Sequence, residues 1–194
     1  MGYTTDFYGG LSFNKPVAPW LMDYINKFSD SRRMKRDPEK IKEVYPNWGD
    51  LCFNGDLGED GEYFIGSKGD YYSQNPDTSV VDYNSPPAEQ PGLWCQWIVN
   101  EDGFLVWDGG EKFYSYEEWL EYLIEHFFEP LGYVLNGDIE WQGESFDDFG
   151  TIHVVDNVVN MQYGIRIGSL DDLGTEELVA ELEKRGFEVR PIAV

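Results

Sequence analysis

Carboxylates dominate the residues able to do chemistry in this chain: 37 Asp and Glu stand against 14 Lys and Arg, with two histidines, His126 and His153, and two cysteines, Cys52 and Cys95. So few histidines and cysteines supply Ser-His or Cys-His machinery poorly. The cysteines have neither CxxC nor His-linked spacing, so they read as reduced thiols and no metal or cofactor is expected. Asp108 with Glu111, or Glu62 beside Tyr63, have the chemistry of an acid and a base. In so acidic a chain, however, some carboxylate pair reaches catalytic spacing by number alone. No catalytic residue is selected, and an enzyme is the less favoured reading.

Three constellations are better defined. Glu117, Glu121, Glu125 and Glu129 recur every four residues, which on a helix draws them along one face, with Asp138 and Glu140 on a following strand and Glu144 beyond it. Like charges at this spacing cost about 0.2–0.5 kcal/mol per pair, so local stability does not account for the row. It reads either as a solvated face that confers solubility or as an imitation of the phosphate stripe of a nucleic acid. The second reading makes Glu117, Glu121, Glu125, Asp138, Glu140 and Glu144 the contacts for a basic nucleic-acid-binding protein. The basic run Arg32-Arg33-Met34-Lys35-Arg36 either neutralises nearby acids or clamps an anion, since guanidinium groups hold phosphate and carboxylate in bidentate fashion. In Trp94-Cys95-Gln96-Trp97, strand geometry sets Trp94 and Gln96 on one face and Cys95 and Trp97 on the other. These tryptophans are core, or Trp94 and Trp97 form a stacking platform for a small anionic, nucleotide-like ligand, with Gln96, Asp108 and Glu111 as hydrogen-bonding groups.

The charge is uneven as well as large. Residues 1–42 carry eight bases and five acids, whereas residues 43–194 carry six bases and 32 acids, within a net charge of −23. Such a field repels nucleic-acid phosphates and anionic membranes and attracts basic proteins, so neither nucleic acid nor membrane is an expected direct partner. Aromatic residues at 16% exclude a disordered acidic tail, and 194 residues suffice for one core. No apolar run approaches a membrane span, and the first residues lack the basic and apolar regions of a signal peptide; a cytoplasmic protein is expected.

The elements that must position these groups follow from periodicity and punctuation. Tyr3 to Phe13 reads as strand, Ala18 to Phe28 as a helix with Pro19 in its first turn, and Asp37-Pro38-Glu39 as a second helix start. Residues 47–90 are irregular, a length uncommon in a compact domain unless functional or ordered by a partner. Leu93 to Val99 and Phe104 to Trp107 read as a hairpin. Ser115, with Glu118 three residues on, reads as the cap of a helix bearing Trp119, Leu120, Leu123, Ile124, Phe127 and Phe128. Three strands are then expected, Tyr133 to Trp141, Gly150 to Val155 and Val158 to Ile167, followed by a helix from Thr175 and a strand from Phe187 to Ile192. The order predicts one α+β domain over residues 1–194, a mainly antiparallel sheet with two or three helices on one face, and residues 1–90 as a looser N-terminal subdomain at its edge.

The stretches Gly2-Tyr3-Thr4-Thr5, Phe28 to Arg36, Pro91 to Trp97, Trp107 to Tyr114, Val134 to Gly137 and Trp141 to Glu144 resemble a family of small acidic proteins of tailed phages and bacteria that has no assigned activity. The resemblance runs to about Val159, and it transfers no catalytic residue. It implies a phage or bacterial setting, in which small acidic proteins that disarm host nucleic-acid enzymes recur, and so a host cytoplasm as the place of action.

Overall fold

The computed structural model describes residues 2–66, 77–164 and 179–180. The chain divides into two compact units, Met1–Tyr163 and Gly164–Val194. The helix expected from Thr175 and the strand expected from Phe187 lie outside the described residues, apart from Val179 and Ala180, which are helical.

The first unit is α+β, built on a six-stranded antiparallel sheet. Its strands are β1 (Thr5–Phe13), β4 (Trp97–Val99), β5 (Leu105–Trp107), β6 (Leu135–Gly143), β7 (Phe149–Val155) and β8 (Val158–Tyr163), in the order β4-β5-β1-β6-β7-β8. The alternation of β1 puts Thr5, Phe7 and Leu11 inside and leaves Asp6 and Tyr8 in solvent. Of the residues 1–90 expected at the edge, β1 lies within the sheet and pairs along its whole length with β6. The glycines at the centre of this pair have a steric reason. A Cβ on Gly9 (φ +99°) would stand 2.7 Å from Asp138 O, and one on Gly137 (φ +141°) would stand 2.9 Å from Gly10 O.

Helices α1 (Pro19–Ser29) and α3 (Tyr116–Leu123) cover one face of the sheet. Leu21, Tyr24, Ile25 and Phe28 of α1 and Trp119, Leu120, Tyr122 and Leu123 of α3 share one core with Leu11, Leu105, Ile139, Trp141, Ile152 and Val154. Trp20, which follows the same spacing, is instead half exposed beside Phe53. The segment after α3 is a π-turn, Ile124–Phe128, followed by a 3-10 turn, Glu129–Leu131. The wider turn brings the consecutive Phe127 and Phe128 both fully into the core.

The expected capping box is absent. Ser115 is left-handed (φ 52°) and its side chain makes no cap bond, so the helix begins from a strained residue rather than a capping one. The Asp37 cap holds, its Oδ1 accepting from the amides of Glu39 and Lys40 ahead of α2 (Pro38–Val44). The 156–157 turn has both residues at positive φ, 50° and 69°, as a tight hairpin with right-handed strand twist requires. The hairpin before it keeps only Trp97–Val99 as strand; Leu93 to Gln96 run outside the ladder. Among the described residues no helix is long and apolar enough to cross a membrane.

Residues 47–66 and 77–90 form little regular structure, yet they are ordered by named contacts. A short ladder joins β2 (Lys35–Arg36) to β3 (Val80–Asp82), and Ile41, Cys52, Leu57 and Phe64 make a second, smaller apolar cluster.

Candidate functional site

The basic run does not converge on an anion. Strand alternation and a bulge send its members to different neighbours. Arg33 is 2% exposed. Its guanidinium donates to the carbonyls of Glu62 and Phe64 and to Gln90 Oε1 and lies 4.0 Å from the centroid of the Phe28 ring. Burial lowers its pKa to about 10, so it remains a cation at neutral pH. Arg36 is buried too, paired with Asp77 and donating to Ser79 Oγ at 2.7 Å. Burial pushes the Asp77 carboxyl up, but hydrogen bonds from Tyr45 and Ser79 together with Arg36 hold it down at about 2. Lys35 pairs with Asp60 at 2.8 Å. These three bases stitch the irregular residues 60–66 and 77–90 to the body, which accounts for the basic run and for the order of those segments. The anion-clamp expectation keeps one member, Arg32, which is partly exposed; it stacks 4.1 Å from the Tyr83 ring centroid and 5.8 Å from that of Trp94.

The six acids proposed as one contact surface do not lie together. Ile139 and Trp141 pack under α3, so the pleat turns Asp138 and Glu140 to the opposite face of the sheet, where both are exposed. Glu117 and Glu121 project from the helical layer, and the π-turn carries Glu125 off the line that α-helical spacing would give it. Glu144 follows β6 and accepts from the Thr4 amide at 2.8 Å. Asp138 is bonded to His153 Nδ1 at 2.7 Å, and His153 Nε2 lies 2.8 Å from Gln162 Oε1. Hydrogen bonds to Asp138 and Gln162 raise the His153 pKa. By contrast, no cation lies within ion-pairing distance of Glu117, Glu118, Glu121, Glu125 or Glu129 among the described residues. Partial burial, then Glu121 and Glu118, push the Glu117 carboxyl up. Residues 93–164 hold fifteen carboxylates and one basic side chain, Lys112, besides the two histidines.

The tryptophan pair divides as well. Trp97 is fully buried, its indole N–H donating to Tyr116 O at 2.8 Å, and is core. Trp94 is 40% exposed and lines a groove of about 580 Å³ with Gly92, Leu93, Gln96, Glu111, Lys112 and Tyr114. Gln96 is fixed there: its Oε1 accepts from Trp107 Nε1 and its Nε2 donates to Glu111 O, both at 3.1 Å. Asp108 sits behind it, turned into the loop by accepting from the Gly110 amide at 2.7 Å.

Sequence reasoning missed a polar cluster at the π-turn. Tyr63 Oη lies 3.1 Å from His126 Nδ1, His126 stacks on Tyr122 at 4.1 Å, and Gln90 Nε2 donates to Tyr122 Oη at 3.1 Å. Burial raises the pKa of Glu62 and takes that of Tyr63 up to about 12. The partners are 32–63 residues apart in sequence, and the only local signal was the placement of His126 in the last turn of an apolar helix. Both cysteines are buried free thiols, and burial takes Cys95 up to about 12. No family model, curated protein or solved structure matches this chain.

Proposed function

We propose that the protein is a non-enzymatic binding protein, acting in a phage-infected bacterial cytoplasm, that blocks a basic nucleic-acid-handling host protein by offering carboxylates where that protein expects phosphates. The observation that carries this reading is the run Glu117, Glu118, Glu121, Glu125 and Glu129, which no cation neutralises among the described residues, in a region of fifteen acids and one lysine. Elsewhere the chain does pair its charges: Lys27 with Asp23, Lys35 with Asp60, Arg36 with Asp77 and Lys42 with Glu39. Among the described residues, ion pairs of Lys and Arg thus fall on one part of the surface and not on the other. Glu117, Glu121 and Glu125 form the contact row; Asp138, Glu140 and Glu144 add to the long-range field that steers a basic partner inward.

Tagged protein drawn through a bacterial lysate at low salt is expected to retain one basic DNA- or RNA-binding protein. Raising salt to about 0.5 M, where the screening length falls to a few ångströms, should release it. Duplex nucleic acid added at low salt should release it too, because the two compete for one groove. Retention of a protein that holds nucleic acid and this chain at the same time would contradict mimicry.

A further inference from the structure

We propose that the groove beside Trp94 binds a nucleotide-like anion, its planar ring stacked on the Trp94 indole and its phosphate held by Lys112, with Arg32 adding positive charge beside the same indole. This site uses none of the helix carboxylates, so it stands or falls apart from the reading above. At about 580 Å³ the groove is within the size range of small-molecule sites. It presents two exposed aromatic side chains, Trp94 and Tyr114, at 40% and 57% exposure, on a wall otherwise formed by Gly92, Leu93, the opposite charges of Glu111 and Lys112, and the fixed amide of Gln96. That amide retains one N–H and one lone pair for the edge of a base.

The cations are the second observation. Lys112 is the one basic side chain of residues 93–164, and it lines this groove. Arg32 is the one arginine of its run held at the surface, and it flanks the same indole. Neither forms an ion pair among the described residues, whereas five of the other bases do. A lysine in the groove wall and an arginine near the same exposed indole, the arginine held by the Tyr83 ring and carbonyl, are the groups that recognition of an anion with a planar face requires.

The packing behind Gly92 is the third. Trp119 is fully buried, and among the described residues its indole N–H has no acceptor, an uncommon condition for a buried donor. It stands directly behind Gly92, at 3.5 Å from where a Cβ on that glycine would be. The missing side chain at Gly92 leaves this donor close behind the groove wall.

The test is a titration of the full chain with adenosine 5′-monophosphate, followed by amide shifts of residues 92–96 and by tryptophan fluorescence. Adenosine and inorganic phosphate are titrated separately. Binding below about 1 mM is expected, with each half alone at least tenfold weaker. Trp94→Ala should weaken it by about 5- to 100-fold, the range of losing one base–aromatic stack, and Lys112→Gln should weaken it by several-fold. Gly92→Ala makes only ordinary contact with Trp119 and should weaken binding while leaving the fold intact, as read by circular dichroism. The proposal is overturned if no shift appears at 92–96 with millimolar nucleotide, if phosphate alone binds as tightly, or if folded Trp94→Ala binds like the parent.

Discussion

At the residue scale the molecule turns on what its arginines do. Arg33 supplies donors to three oxygens from Glu62, Phe64 and Gln90 in a site without solvent, so its truncation strands acceptors rather than removing one contact. Arg33→Met should cost about 3 kcal/mol, lowering the melting temperature by about 6–12 °C in a domain of this size, and Arg33→Lys should not rescue it because one ammonium cannot span the fork. Thermal denaturation followed by circular dichroism checks both. Asp77 carries a pH signature. Its folded pKa of about 2 lies below the value near 3.9 of an unfolded aspartate. The stabilisation from this group is therefore complete above about pH 4 and lost as pH falls toward 2. Asp77→Asn should flatten that limb of the stability–pH curve. None of this was legible in Arg32-Arg33-Met34-Lys35-Arg36 as a string. Its composition announced guanidinium chemistry, but whether the donors meet an anion or the chain's own carbonyls depends on contacts 29–57 residues away.

At the element scale, legibility followed the strength of local signals. The β4–β5 and β7–β8 hairpins, α1 and the Asp37 cap were readable because periodicity and turn chemistry agree there. The start of α3 was misread because Ser115 carries the right side chain in the wrong backbone region. Ser115→Gly should thus be neutral or stabilising by up to about 1 kcal/mol, since it relieves a left-handed conformation and loses no cap bond; a loss of more than 1 kcal/mol in chemical denaturation would contradict this. The π-turn was invisible to an even four-residue count, and with it the setting of Glu125. The face of the sheet opposite the helices carries its own titrating group in the row Asp138, His153 and Gln162 across β6, β7 and β8. Because the folded pKa of His153 is raised, its stabilising contribution is present below the unfolded value near 6.5 and fades as pH rises through the folded one. In an NMR titration, Asp138→Asn should move the His153 midpoint down.

At the scale of the whole molecule, the α+β architecture follows from the order of elements, but the distribution of charge over its faces does not. Sequence spacing grouped Asp138 and Glu140 with the helix acids; the two-layer arrangement sets them on opposite sides, a consequence of which strand face α3 covers. The charge asymmetry itself was legible by counting, and it persists in the fold: Lys27, Lys35, Arg36, Lys40 and Lys42 pair with carboxylates of residues 23–77, while among the described residues no Lys or Arg pairs with a carboxylate of residues 93–164. That asymmetry is the centre of the functional account, and two faces allow it to be tested with an internal control. The most direct measurement is the low-salt affinity, by fluorescence anisotropy, of the captured basic partner for three proteins: the parent, the helix-face variant Glu117→Gln/Glu121→Gln/Glu125→Gln, and the sheet-face variant Asp138→Asn/Glu140→Gln. The account predicts a loss of tenfold or more on the helix face and a change of less than about threefold on the sheet face. Equal affinities for parent and helix-face variant would contradict it.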